Sequence, residues 1–162
     1  MQRTLFLGGR TRRTAVEFCY DSAQTGAQEW EAKTTPHPKI HHVRPVVRNN
    51  PITRIEEFRQ FDKAIALLNW DSDCIEIVKL ETLQPRQGGP SRLICFLKRL
   101  ADKYRVTIWG HARPYEPDPP FPAGGVVAKD RLDNFYRKCG FVLREIDADT
   151  SEIKYVPKQF SS

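Results

Sequence analysis

The sequence predicts an α/β fold in which a mixed central sheet is flanked by helices, and three stretches carry that reading. Cys74 to Leu83 is apolar on both faces, through Ile75, Ile77, Val78 and Leu80, which marks a central strand. Residues 91–103 follow as an amphipathic helix, with Leu93, Phe96, Leu97 and Leu100 at i, i+3, i+4 and i+7, and Arg105 to Trp109 follows as a second strand. A strand–helix–strand unit this short is a right-handed crossover between parallel strands. Finally, Phe141 to Ile146 and Glu152 to Val156 flank Asp147-Ala148-Asp149-Thr150 as an antiparallel hairpin, so the sheet is mixed.

The remaining elements follow in chain order. Residues 1–50 read as a basic, irregular N-terminal segment, and residues 51–162 as the core. Thr4 to Leu7 and Ala15 to Tyr20 are expected as two strands around a basic turn, Gly8 to Arg13. Asp21 to Asn50, broken by Pro36, Pro38 and Pro45, is expected as a long loop with a short strand at Val43 to Val47. Residues 53–69 read as a helix capped by Thr53, with Ile55, Phe58, Ala64, Ile65 and Leu68 sharing a face. Asp71-Ser72-Asp73 is a turn. Residues 114–125, with five prolines and two glycines, are an irregular loop. A short helix over about 130–139 is capped by Asp130, carries Leu132, Phe135, Tyr136 and Cys139 on one face, and stops at Gly140.

With 162 residues the chain is long enough for one domain with a real core. No apolar run reaches the roughly 20 residues that cross a bilayer. The apolar patch Leu5 to Leu7 is followed at once by arginines, which is not a secretory signal. A cytoplasmic location without a membrane partner is therefore expected. Cys19, Cys74, Cys95 and Cys139 form no C-x-x-C pair and read as reduced core thiols, and no metal is expected. The formal charge is +6, and residues 1–50 hold eight Lys/Arg against four Asp/Glu, so +4 of it sits there. That excess suits a polyanion, with Trp30, His41 and His42 beside it as stacking groups for nucleic acid. His37, His41 and His42 are close in sequence, but metal binding needs a fourth ligand and a defined geometry.

Two stretches bear the chemistry. Arg86-Gln87-Gly88-Gly89-Pro90-Ser91 joins the central strand to its helix. Unpaired N–H groups at a helix N-terminus attract anions, glycines let backbone approach a phosphate, and Arg86 and Arg92 add charge. The loop lacks the Gly-Lys-Ser/Thr ending of a P-loop and the spacing of a dinucleotide fingerprint. The second stretch is Phe135-Tyr136-Arg137-Lys138-Cys139-Gly140-Phe141.

Together they resemble the GNAT superfamily of acyl-CoA N-acyltransferases. Arg86, Gly89 and Ser91 fall on its Gln/Arg-x-x-Gly-x-Gly/Ala motif, and Phe135, Tyr136, Gly140 and Phe141 on its aromatic-Tyr-x-x-x-Gly-Phe pattern. The likeness covers about residues 53–157. It is closest to compact members met in phage and mobile genomes, through Leu97-Lys98-Arg99-Leu100-Ala101-Asp102 and Ala112-Arg113-Pro114. Ser91 and Pro90 depart from the pattern. So does the single helix expected where the family has a helix pair and a hairpin before its central strand.

The resemblance implies an N-acetyltransferase that passes an acetyl or other acyl group from acetyl-CoA to an amine by direct attack. The acceptor would be a protein lysine or N-terminus, a small amine, or an amino-modified nucleobase. Strands 74–83 and 105–109 would splay, with the pantetheine arm between them on main chain near Glu81 to Leu83. Leu83, Arg86, Gln87, Gly88, Gly89, Pro90, Ser91 and Arg92 would hold the cofactor. Tyr136 would give the departing thiolate its proton, since a phenol of pKa about 10 is protonated at neutral pH. Glu81, Glu76 and His111 are the candidates for a base. The competing reading is a GNAT-like protein without turnover, which engages a protein or nucleic acid through its basic N-terminal third.

Overall fold

A computed structural model describes residues 15–40, 57–71, 73–115 and 127–159. Among these residues seven strands form one mixed sheet in the order β1-β2-β3-β4-β5-β7-β6, with three helices interspersed along the chain. The expected mixed α/β architecture is present. Its N-terminal half differs from the expectation.

Ala15–Lys33 is a helix, α1, and neither the predicted strand at 15–20 nor the predicted loop is found there. Among the described side chains of α1, Ala23, Gly26 and Trp30 are buried, at i, i+3 and i+7. Arg59 reaches back from the sheet to the C-terminal end of α1. It donates to the carbonyls of Glu31 and Thr34 at 3.0 Å each, where α1 leaves acceptors unpaired. Thr35–Ile40 then forms β1, an edge strand that tolerates Pro36 and Pro38 because an edge can spare their missing N–H groups. The strands predicted at 4–7 and 43–47, the basic turn, and most of the 114–125 loop lie outside the described residues.

The helix expected over 53–69 is instead a hairpin, β2 (Glu57–Phe61) and β3 (Ala64–Trp70). Asp62 takes the left-handed conformation (φ 52°) in its turn, which Asp tolerates better than most residues. Ala64, Ile65, Ala66 and Leu67 are all buried, as in a strand covered on both faces, so their spacing fits a helix only by coincidence. β4 (Cys74–Thr82) matches the predicted central strand and pairs antiparallel with β3. The register slips between Leu67 and Leu68, which face Lys79 and Ile77, and Val78 is left as the extra residue of a bulge. The slip switches faces. Ile75, Ile77 and Leu80 join the helix-side core, whereas Val78 joins a smaller cluster of Phe58, Ile65 and Leu67.

α2 (Gly89–Tyr104) buries Leu93, Ile94, Phe96, Leu97, Leu100 and Ala101 on that core. β5 (Thr107–Ala112) returns parallel to β4. α3 (Lys129–Lys138) begins after Ala128, so Asp130 lies in its first turn rather than at its cap. It ends as predicted at Gly140 (φ 87°). There the Gly140 N–H bonds the Arg137 carbonyl and the Phe141 N–H bonds the Tyr136 carbonyl, the paired closure of a Schellman motif. β6 (Val142–Glu145) and β7 (Ser151–Tyr155) form the predicted hairpin. Ser151, Ile153 and Tyr155 share one face of β7. Tyr155 bonds α2 through Asp102 and Ser151 bonds α3 through Asp133, so both helices cover that face. α1 joins them through Trp30, whose ring lies 5.9 Å from Phe96.

The Tyr155 hydroxyl donates to both Asp102 carboxylate oxygens, at 2.9 and 3.1 Å. Burial and then the Asp102 charge push this phenol from 10.0 up to about 12. The unfolded phenol therefore ionises before the folded one. The stability this side chain supplies is intact below pH about 10 and is lost as the pH rises toward about 12. Melting temperatures measured across that window should fall more steeply for the native protein than for Tyr155→Phe.

Candidate functional site

β4 and β5 pair over four residues only, from Cys74 with Thr107 to Ile77 with Gly110. Gly110 stands where pairing ends. A Cβ there would lie 2.8 Å from the Ile77 carbonyl oxygen, so any side chain would push the strands apart one step early. Beyond this point the strands diverge and become the walls of a cleft of about 270 Å³. Val78, Lys79 and Leu80 line one wall, and His111, Ala112 and Arg113 the other. Tyr115, Leu132 and Tyr136 complete it.

The ladder shows which main-chain groups face this gap. The Leu83 N–H donates to the Lys63 carbonyl at 2.8 Å, so it is spent on the β3 side and does not serve a ligand in the cleft. Antiparallel strands alternate, so Leu80 and Thr82 point their N–H groups the other way. The Leu80 carbonyl confirms that direction, because it accepts the Tyr115 hydroxyl at 3.1 Å. Lys79 lies over the Tyr115 ring, 5.4 Å from its centroid.

Tyr136 lines the cleft from α3 and is only 5% exposed. Burial pushes its hydroxyl above the ordinary phenol value. Phe135 and Phe141 pack edge-on against the ring at 5.1 and 5.5 Å, and the Phe141 contact is the apolar partner of the Schellman closure. α3 itself is anchored by Asp133. One of its carboxylate oxygens accepts from Lys129 at 3.0 Å and from Ser151 at 3.1 Å. The other is buried with no hydrogen-bond partner among the described residues.

Of the predicted bases, His111 is an exposed wall residue of the cleft, set edge-on to Trp109. Glu81 is not brought to it. Its two oxygens each accept from Lys39 of β1 at 2.6 Å, in a pair whose side chains are both 5% exposed. Glu76 accepts from Asn69 at 2.9 Å. Of the histidine group, His37 is held through Nδ1 by the Lys39 N–H at 3.2 Å, and burial lowers its pKa. His41 and His42 lie outside the described residues, among which there is no cluster of metal-ligating side chains. Trp30 is 3% exposed in the core, so it is not the stacking platform the sequence suggested. Cys74, Cys95 and Cys139 are free thiols, and Cys95 is exposed rather than in the core.

The glycine loop follows β4 directly. Gly88 (φ 70°) precedes α2, and no side chain caps the helix. Arg86 also takes a left-handed conformation (φ 62°) and is exposed, as are Gln87 and Ser91, while Pro90 occupies the first turn. Arg92 folds back over the start of α2 and is held there by protein groups. Its Nε donates to Asp62 at 2.6 Å and its Nη2 to the Gln87 carbonyl at 2.6 Å, and it holds the Asp62 carboxyl below its ordinary pKa. Lys63 also reaches the loop and donates to the Gln87 side chain at 2.9 Å. Lys63, Lys79, Arg113 and Tyr115 were missed by the sequence reading. The bulge that aims Lys79, and the hairpin that presents Lys63, leave no mark in a hydrophobicity pattern.

The chain matches no family model and no curated protein. Among solved structures it is similar to one described as the crystal structure of anti-CRISPR protein AcrVA5. The identity is 20%, the match covers 57% of this chain and 92% of that one, and the TM-score is 0.44.

Gly89 packs on the β2–β3 turn, where a Cβ would lie 2.6 Å from the Lys63 carbonyl oxygen. Backbone must move to admit one. Gly89→Ala should cost about 1–3 kcal/mol, read as a lowered urea midpoint at unchanged m-value.

Proposed function

We propose that this protein is an acyl-CoA-dependent N-acyltransferase of GNAT type, which moves an acetyl group from acetyl-CoA to an amine. The observation that carries this reading is the parting of β4 and β5 after Ile77 and Gly110, with Tyr136 on the wall of the gap and the glycine loop following β4 in the chain. Two further features favour it. A hairpin, β2–β3, precedes the central strand as in the family pattern, although α1 is the single helix before it among the described residues. The uncapped first turn of α2 follows the same strand and suits the pyrophosphate of CoA. Arg86 and Lys63 supply the cations there, and Arg92 serves as a brace to Asp62.

The reaction assigns work to few groups. The neutral amine attacks the thioester carbonyl, and the oxyanion that forms takes a hydrogen bond from main-chain N–H of β4, with Leu80 and Thr82 facing the gap. The C–S bond then breaks, and the amine proton ends on the CoA sulfur. Tyr136 hydrogen-bonds the sulfur as its charge develops. Its raised pKa keeps it protonated throughout the working range, but also makes full transfer to a thiolate of pKa about 8.5 uphill. As it gives a proton to the sulfur it therefore takes one back, the amine proton passed on by the base through water. His111 is the imidazole on the wall, and it receives the amine proton directly or through water.

Tyr136→Phe keeps the ring packing and removes the hydroxyl. Turnover in a free-thiol release assay should fall by about 10²–10⁴-fold with CoA affinity retained, and an unchanged rate with chemistry limiting would remove Tyr136 from the mechanism. Ser91→Glu sets an exposed carboxylate at the first turn of α2 and should weaken CoA binding by about tenfold or more in calorimetry, since each 1.4 kcal/mol of repulsion is tenfold. Equal affinity in the two proteins would displace the cofactor from this loop.

A further inference from the structure

The solvent side of α2 carries a charge pattern that the acyltransferase reading does not use. Arg92, Arg99 and Lys103 recur at steps of seven and four residues, so they lie along one side of the helix. Eleven residues at 1.5 Å each span about 16 Å. Lys98 sits beside this row, Arg105 continues it past the helix end, and Lys158 approaches from the chain after β7. Two surface depressions of about 530 Å³ each adjoin here and share Arg99 and Asp102.

The acids around the row are occupied. Asp102 accepts the Tyr155 hydroxyl and the Lys158 main-chain N–H. Asp62 is matched to Arg92 at one end, and Glu29 to Lys103 at the other. Among the described residues, six cations thus face three carboxylates, an excess of three. Lys98 donates to the neutral Cys139 carbonyl, and Arg99 lies over the Phe96 ring, so neither is spent on a carboxylate among the described residues.

We infer that this surface docks the phosphate backbone of a nucleic-acid duplex. A duplex offers a charge every 1.7 Å of its axis, and a straight row of cations about 16 Å long meets such a polymer along its length. A lipid surface fits less well. Membrane-seated helices add apolar side chains to their cations, and among the described residues none of the exposed large hydrophobics, Tyr115, Val127, Val142, Ile146 and Val156, lines either depression. The depressions share no residue with the β4–β5 cleft, so a docked duplex leaves that cleft open.

The test is a fluorescence-anisotropy titration of the full chain with short labelled DNA and RNA duplexes between about 50 and 200 mM salt. Binding to at least one duplex should weaken steeply with salt. Arg99→Gln combined with Lys158→Gln, two exposed positions, should leave the melting temperature unchanged. It should flatten the log–log salt slope by about 0.9 for each cation removed from a phosphate, or about 1.8. Absence of binding at low salt would overturn the proposal, as would the same slope in the variant. A polyglutamate chain that competes as well as the duplex would overturn the assignment to nucleic acid. Displacement of the duplex by saturating CoA would give the surface to the acyl donor instead. Loss of acyl transfer alone, with duplex binding intact, would bear on the cleft and not on this surface.

Discussion

The fold turns on a short parallel pairing. β4 and β5 must lie side by side to close the core over Ile75 and Ile108, yet stay joined for only four residues to leave a gap beyond them. Gly110 sets the length of the joined part by letting Ile77 come close. The bulge at Val78 works on the other side of the same strand, since the extra residue adds twist and re-aims the side chains from Lys79 onward. Antiparallel partners on both sides keep the two strands in place, β3 through a long ladder and β7 through five residue pairs. The opening is thus held rigidly by the sheet around it.

Polar clamps fix the elements that border the opening. Arg92 ties α2 and the glycine loop to the β2–β3 turn, Asp133 ties α3 to β7, and Asp102 ties α2 to the end of β7. Each joins parts distant in sequence. The buried Lys39–Glu81 pair adds a tie between the first strand of the sheet and its centre. Its desolvation cost makes it weak evidence for net stability, but loss of either partner would strand a charge in the interior. Several charged residues near the glycine loop and the central strand are therefore structural braces, although type and position alone suggest ligand contacts.

The C-terminal half of the fold was legible in the sequence because its signals are local. α2 shows its apolar stripe, α3 ends at a glycine, and the last hairpin turns on Asp147 to Thr150. The N-terminal half was not. Over the described side chains of α1 the buried stripe is Ala23, Gly26 and Trp30, and two small residues contribute almost nothing to a hydrophobic pattern. β1 holds two prolines, which read as a loop until the strand is known to lie at an edge. The β2–β3 turn lacks glycine and proline, so its strands merged into one apparent helix. At the site, Tyr136 and His111 are identifiable by residue type and reach the cleft. Glu81 is equally conspicuous, but only the three-dimensional path of Lys39 shows why it faces elsewhere.

The two prolines of β1 also bear on how copies of this chain meet. An exposed strand edge is a template for further strands, and sheet proteins that leave one bare tend to join edge to edge. Pro36 and Pro38 are two residues apart, so their missing donors fall on the same side of the strand. An arriving strand would find carbonyls there without the matching N–H groups. At the far side of the sheet, β6 offers only four residues. Among the described strands, then, neither margin can seed a continuous intermolecular ladder, and the seven-stranded sheet is protected from growing into a larger one.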